Sequence, residues 1–507
     1  MRHIATSIHP PFFLKHVSMS GHFDNVIIFS TRYGNYYMYS LLQKTFHCIS
    51  ENEFNILRAI ERGLSVSEAV KQCCNSDIDI TEYQTKIDNY LAYISRQRVK
   101  EVITTNVVPQ NIYSQLANKP SICFEVTESC NLRCAYCAYG DFYEGYEPRQ
   151  NSNLSFEKAK AVIDMVMSYC NTQIPAIHIS FYGGEPLLRF DLIKQVIEYV
   201  SGFCIDATYS MTTNAMLLDK YIDFLIENKF ALLISLDGNK SHNGFRLQSN
   251  GEESFDKVFS NIKSVQINHP QYFNECVNFN VVLHKKNNVS DVLNYFDENF
   301  GKTPSINYVS PSMLRQDKKK EFEEMLQNLE YDNVKQRCDH NVYDRYNKQT
   351  AEYKEVMFNL KLLTSCYYSN YIDLLSNGIK RRLHTATCFP FWKKMFVTSQ
   401  GLILPCENVP HSHSLGNVGN AQVECDIPNI AEQFTDSLKT MMQTCSACYN
   451  RMCCDVCLWQ KKQENGRFNL SCFHTKSDME AKLANMFSFI EENPTIYNTV
   501  LNSENYG

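Results

Sequence analysis

Between residues 118 and 315 the chain alternates short apolar runs with amphipathic segments, and this alternation restricts the fold more than any other feature. Strands are predicted at SICFEVT (121–127), AIHISFYG (176–183), ATYSMTTN (207–214), ALLISLDG (231–238), NFNVVLH (278–284) and SINYVS (305–310). Helical patterns lie between them, such as SFEKAKAVIDMVMSYC (155–170) and FDLIKQVIEYV (190–200). Repeated strand–helix units build an α/β fold with a parallel sheet or barrel, and the loops beyond the strand C-terminal ends carry its chemistry.

The length of 507 residues accommodates roughly two to four domains. A net charge of −6, with no long basic run, gives no support for a nucleic-acid partner. The opening MRHIATSIHPPFFLKH has prolines where a signal peptide needs an unbroken apolar core, and no stretch is apolar enough to span a membrane. A cytoplasmic protein is expected. The 21 cysteines, an odd number without a secretory signal, point to thiolate ligands rather than a disulfide framework.

Ahead of the alternating region, residues 1–110 read as a separate module. NVIIFSTRYGNYYMYS (25–40) is a hairpin turning at Gly34 and Asn35. Capping boxes at Ser50/Glu53 and Ser65/Glu68 open two helices, and a third is predicted over 81–97. This order fits a winged-helix-like module whose second helix has too few basic residues to read DNA. A short sheet with a free edge suits an extended peptide, the alternative being a plain structural domain. After the alternating region, 316–387 reads as a charged helical connector, 388–475 is cysteine-rich, and 476–507 is a tail with a helix around MEAKLANMFSFIEE.

The first loop of the alternating region holds CNLRCAYC, with Cys130, Cys134 and Cys137 spaced C-x3-C-x2-C. Three thiolates from one loop can hold three irons of a four-iron cube and leave the fourth open to a substrate or cofactor. Structural zinc, the alternative, wants four ligands in two separated pairs. The spacing, with an aromatic residue before the third cysteine, resembles the signature of the radical S-adenosylmethionine (SAM) enzymes. That resemblance implies a partial (β/α)6 TIM-type barrel over 118–315 and a 4Fe-4S cluster whose open iron chelates SAM. Gly183, Gly184 and Glu185 stand in the GGEP that, by the same resemblance, runs along the methionyl amino group. Ser235 in SLDG and Arg246 in HNGFR are implied to contact the ribose and carboxylate of SAM, and Tyr136 to face its adenine.

The cysteine-rich region reads C-x12-G-x4-C (Cys388, Gly401, Cys406), then C-x2-C-x4-C-C-x2-C (Cys445, Cys448, Cys453, Cys454, Cys457), then Cys472. It resembles the SPASM extension of radical SAM enzymes, which binds two auxiliary 4Fe-4S clusters; a zinc ribbon is the alternative. By the family's assignment Cys388, Cys406 and Cys457 serve the first. Cys445, Cys448, Cys472 and either Cys453 or Cys454 serve the second. The first set is then one ligand short, to be supplied by a stray cysteine such as Cys425 or by a substrate thiolate. Cysteines 48, 73, 74, 123, 170, 204, 276, 338 and 366 are expected to be small buried side chains. Glu407 follows Cys406 as an acidic residue does in sulfatase-maturing relatives, where it is the general base; the alternative is a surface carboxylate.

Taken together, the resemblance implies a maturase of ribosomally synthesised peptides. Its N-terminal module grasps a leader segment, its radical chemistry forms an intramolecular thioether or carbon–carbon crosslink, and flavodoxin or ferredoxin supplies electrons. The alternative is an anaerobic sulfatase-type maturase oxidising Cys or Ser to formylglycine.

Overall fold

The computed structural model describes residues 25–496 apart from 42, 75–76, 95–100, 104–105, 119, 138, 141, 144–150, 170–175, 310–313, 326–336, 349, 364–379, 383–386, 420–421, 446, 455, 461–462, 465–466, 469–471 and 473. Cys170, Cys366, the ends of the predicted tail and N-terminal module, and much of the connector lie outside the described residues.

The N-terminal module opens with an antiparallel sheet of β1 (Val26–Ser30), β2 (Tyr36–Ser40) and β3 (Thr45–Ile49), so the predicted hairpin gains a third strand. That strand, TFHCI, is five residues long, and the sequence reading did not include it. Helices Glu51–Glu61 and Val66–Cys73 follow, and both capping boxes form as the Ser-x-x-Glu spacing requires. The third helix runs over Asp77–Ile94, a few residues earlier than expected. Successive strand residues point to opposite faces. Val26, Ile28 and Met38 therefore pack on the module's own helices, while Ile27, Phe29 and Tyr39 pack on the C-terminal helix Lys476–Glu492 and on Ala351–Leu363. Next come β4 (Glu101–Ile103) and helix Pro109–Asn118, which the sequence reading did not include.

The main sheet begins with β5 (Ser121–Thr127), which leads into a short β6 (Leu132–Cys134). It continues with β7 (Ala176–Gly183), β8 (Asp206–Thr213) and β9 (Ala231–Ser235); β10 (Arg246–Gln248) pairs with β6. β11 (Val277–Leu283) and β12 (Ser305–Tyr308) complete a parallel series in the order β12-β11-β9-β8-β7-β5. Helices Phe156–Tyr169, Phe190–Ser201, Leu218–Glu227, Phe255–Asn268 and Val289–Phe300 form the crossovers.

Parallel sheets covered on both faces read as continuous apolar runs. These strands instead alternate. Ile122, Phe124, Ile177, Ile179, Phe181, Met211, Leu232, Ile234 and Phe279 are buried under the helices. The opposite face carries Glu125, His178, Ser180, Tyr182, Thr208, Ser210, Ser235, Asn280 and Asn307. On it, the His178 ring nitrogens bond the hydroxyls of Thr208 (2.9 Å) and Ser210 (3.0 Å), and Asn307 Nδ2 donates to Asn280 Oδ1 (2.6 Å).

Beyond the connector, β13 (Lys380–Arg382) pairs in parallel with β4. β14 (Met395–Val397) lies parallel to β5, and β15 (Leu402–Leu404), β16 (Gly416–Gly419) and β17 (Gln422–Glu424) extend the same sheet antiparallel. The cysteine-rich region is thus partly a continuation of the main sheet, which among the described residues has ten strands in order from β12 to β17. Among the described residues no helix is long and apolar enough to cross a membrane.

Candidate functional site

The loop after β5 carries Cys130, Cys134 and Cys137, all partly buried, at the C-terminal end of the parallel strands. Gly183 and Gly184 end β7 beside it. A Cβ on Gly183 would lie 2.2 Å from the Thr127 carbonyl oxygen, and one on Gly184 2.0 Å from that of Ser129; Gly183 also has φ +138°. Only glycine permits this approach. The backbone approached is the chain's own: Gly184 N–H donates to Thr127 O (2.7 Å) and Glu185 N–H to Ser129 O (2.9 Å).

Glu185 is buried at the same junction. Its carboxylate accepts from Thr213 Oγ1 (2.7 Å), Asn214 N–H (2.8 Å) and Leu187 N–H (3.1 Å), which ties the ends of β7 and β8. Burial pushes the carboxyl up to about 7 against the pull of those three donors. Asn214 in turn directs Nδ2 toward Cys130 Sγ (3.7 Å), and Leu132 N–H donates to the same sulfur (3.3 Å). Arg246, opposite Cys134 in the β6–β10 pair, directs Nη1 at Cys134 Sγ (4.0 Å). Burial pushes the Cys134 thiol up to about 12; Arg246 opposes this, and Cys137, Asp237 and Cys130 add to it.

Two members of this site were missed by the sequence reading. Asp237, wholly buried, takes both Nε (2.9 Å) and Nη2 (3.0 Å) of Arg246 and the hydroxyl of Tyr136. His284, also wholly buried, stacks on Tyr136 and places Nε2 3.5 Å from Asp237. Burial disfavours the Asp237 anion, yet Arg246, His284 and Tyr136 outweigh it and hold the carboxyl at about 2. Asp237 stood in the quoted SLDG, but only its charge in a strand-end motif marked it. Ser235 lies at the C-terminal end of β9. From the connector, Phe322 and Met325 pack with Tyr136 and Phe142, so one part of that segment is core rather than solvated face.

On the other side of the loop, the β14–β15 turn is fastened to β5. Glu125 accepts from Ser399 N–H (2.9 Å) and from the Tyr139 hydroxyl, and Glu128 from Ser399 Oγ (3.3 Å) and Gln400 Nε2 (3.2 Å). Glu407 pairs with Lys394 (3.0 Å), while its Oε2 is buried with no hydrogen-bond partner among the described residues. Burial, with Glu407, Cys137, Cys123 and Glu125 near it, pushes the Tyr182 hydroxyl up.

The remaining cysteines sort into groups. Burial pushes Cys445 up to about 11, and Cys454, Cys448 and Cys472 stand close enough to add to it. Cys453 is 1% exposed, bonded to Asn450 Oδ1 (3.2 Å), and belongs to the apolar cluster that includes Ile27 and Phe29. Cys406 is pushed up to about 11 by burial, with Cys457 among its neighbours, and Trp459 Nε1 donates to the Cys388 carbonyl (3.3 Å). Cys425, offered above as a spare ligand, is surrounded differently: burial and Asp426 push it up, and Tyr169 is near it. Of the cysteines expected to be buried, Cys74 and Cys123 are, whereas Cys48 and Cys204 are exposed.

Among the described residues no three His, Cys, Asp or Glu side chains converge closely enough for a single metal ion. A four-iron cube is wider than one ion and takes thiolates spaced around it. The donor set fits such a cluster: three thiols on one loop, with N–H groups directed at two of the sulfurs, as thiolate ligands favour.

Residues 124–298 match the model of the Radical SAM superfamily. A cysteine-type anaerobic sulfatase-maturating enzyme of Clostridium novyi is 31% identical over 27% of this chain, a match spanning only 37% of that relative's length. The radical SAM cyclopropyl synthase TigE of Paramaledivibacter caminithermalis is 22% identical over 73% of this chain and 70% of its own. A solved structure, native anSMEcpe with bound AdoMet, shares the fold at a TM-score of 0.52 and 20% identity, covering 76% of this chain and 100% of that one. The parallel strands that carry the three-cysteine loop, the GGEP turn and the Asp237–Arg246 pair therefore form a radical SAM domain.

Proposed function

We propose that this chain is a radical SAM maturase that forms a thioether or carbon–carbon crosslink within a ribosomally synthesised peptide. The observation that carries the reading is a combination: a three-thiol loop at the end of a parallel sheet, and a small N-terminal sheet whose β3 has no strand beside it on its outer edge among the described residues. An extended leader segment adds to that edge through main-chain hydrogen bonds. The core peptide then lies along the polar face of the main sheet, where Ser180, Ser210, Asn280 and Asn307 offer neutral donors and acceptors to its amides.

Cys130, Cys134 and Cys137 hold the SAM-binding cluster. Bound there, a 4Fe-4S cluster with SAM supplies a 5'-deoxyadenosyl radical that removes hydrogen from the substrate. Cys445, Cys448, Cys454 and Cys472 hold a second cluster, and Cys388, Cys406 and Cys457 a third with a position left for a substrate thiolate. Lys394 holds Glu407 in an ion pair through Oε1, and Glu407 Oε2 receives the substrate proton. Flavodoxin or ferredoxin donates the electrons.

Co-expression with a short precursor peptide encoded beside this gene tests the reading. Mass spectrometry is expected to show the loss of two hydrogens per crosslink; a peptide of unchanged mass under reducing, SAM-replete conditions refutes it. The local 31% identity to a sulfatase-maturating enzyme favours a second reading, oxidation of Cys or Ser to formylglycine. A sulfatase-derived peptide carrying the aldehyde after the same incubation would establish that reading in its place.

A further inference from the structure

The Asp237 carboxylate is the most completely enclosed charge in the site. Its Oδ1 accepts from Val282 N–H (3.0 Å) and Arg246 Nη2 (3.0 Å); its Oδ2 accepts from Arg246 Nε (2.9 Å) and the Tyr136 hydroxyl. Its own backbone is fixed as well: the N–H donates to Asn243 Oδ1 (3.3 Å), and the carbonyl accepts from Asn287 Nδ2 (3.2 Å). A bidentate carboxylate locks both the distance and the plane of a guanidinium. With Nε and Nη2 so engaged, the nitrogen left over is Nη1, which faces Cys134 Sγ at 4.0 Å. The β6–β10 pairing sets Arg246 directly opposite Cys134, so the aim is built into the backbone as well. The Arg246 guanidinium also lies over the Tyr136 ring, 5.4 Å from its centre.

We propose that Asp237 is a positioning residue that fixes Arg246 against Cys134, so that the guanidinium acts on the thiolate of the three-cysteine loop rather than on the carboxylate of SAM. This rests on the reading of that loop as a cluster ligand set. A cation with an N–H directed at a ligand sulfur stabilises the more negative, reduced cluster and raises its reduction potential. Arg246 thereby makes the cluster easier to reduce, and Asp237 makes that effect possible by orienting the fork.

The test is a double-substitution cycle on the anaerobically reconstituted full chain: Asp237→Asn, Arg246→Met and both together. Redox titration follows the electron paramagnetic resonance signal that responds to added SAM, and SAM affinity is measured in parallel. Arg246→Met is expected to shift the potential to more negative values with little change in affinity, and that shift is expected to shrink by about half or more in the Asp237→Asn background. An equal shift in both backgrounds overturns the positioning role. An unmoved potential with affinity down about tenfold or more, the effect of one lost charge-assisted hydrogen bond, also overturns it. Should a single variant fail to fold, the double variant, which buries no charge without a partner, still decides: a potential more negative than wild type supports the proposal and an unchanged one overturns it. A wild-type chain without a SAM-responsive signal removes the cluster reading and this proposal together; a normal wild-type signal beside unmoved variants removes the proposal alone.

Discussion

Replacing Arg58 by Met should loosen the N-terminal module from the C-terminal helix, and the geometry sets the size of the effect. Arg58 donates Nη1 to Glu61 (2.7 Å) and Glu480 (3.1 Å), and Nη2 to Glu480 (2.8 Å) and to the Ile28 carbonyl (2.7 Å). Methionine keeps a long apolar side chain beside Phe54 but removes the guanidinium from over its ring and all four bonds. The Arg58 and Glu480 side chains are 24% and 21% exposed, so solvent screens them only partly. Charge-assisted hydrogen bonds of this kind contribute about 1.5–3 kcal/mol when buried. Lys476 remains on Glu61, and the residual exposure reduces the loss. A cost of about 2 kcal/mol follows, or about thirtyfold in the equilibrium for local opening. Arg32 and Glu492, at 51% and 41% exposure, form an ion pair at the same interface, for which solvent screening leaves about 0.5 kcal/mol or less. Hydrogen exchange of amides in β1 and in Lys476–Glu492, measured on the full chain, reads both openings. The reasoning is refuted if Arg58→Met leaves exchange unchanged, or if Arg32→Met accelerates it as much.

Three further outcomes are expected. Cys454→Ser should lower iron and sulfide per chain by one cluster, whereas Cys453→Ser should keep the metal and cost about 1 kcal/mol or less, since its hydroxyl keeps Asn450 Oδ1 as acceptor; the reverse pattern of iron content would reassign the ligand. Gly184→Ala drives a methyl group into the Ser129 carbonyl and should cost about 3 kcal/mol or more, with loss of iron from the Cys130 loop, read by thermal unfolding and metal analysis. Glu185 has its carboxyl raised to about 7, so its contribution to stability is fully present below its ordinary value near 4.5 and is lost as pH rises through about 7. The difference is about 3 kcal/mol, and Glu185→Gln should flatten it; parallel slopes for wild type and variant in urea unfolding between about pH 5 and pH 7.5 would contradict this.

The parallel strands were legible because their signal is local. Ser121–Thr127 and Ala176–Gly183 appear within the predicted bounds, and β8, β9, β11 and β12 begin within a residue of theirs. Helix Phe190–Ser201 and the two Ser-x-x-Glu starts were readable for the same reason, since side-chain period and capping chemistry depend on neighbours a few residues apart. β3 was missed although it pairs with its chain neighbour β2; the union of β14–β17 with the edge of β5 was not legible, since strands of three or four residues acquire a partner only when the chain returns to them.

The same division runs through the site. Sequence by itself determined the three-thiol loop, the glycine turn beside it and a second group of cysteines, because spacing within a loop fixes how many thiols can share a cluster. Tertiary structure alone distinguishes Cys453 from Cys454, adjacent in the chain: the first is buried in an apolar cluster, and the second stands near Cys445. It also joined Asp237, Arg246, Tyr136 and His284, distant from one another in the chain, into one charge network. Burial and electrostatic pairing are properties of what surrounds a group in space, and no local pattern of residues encodes them.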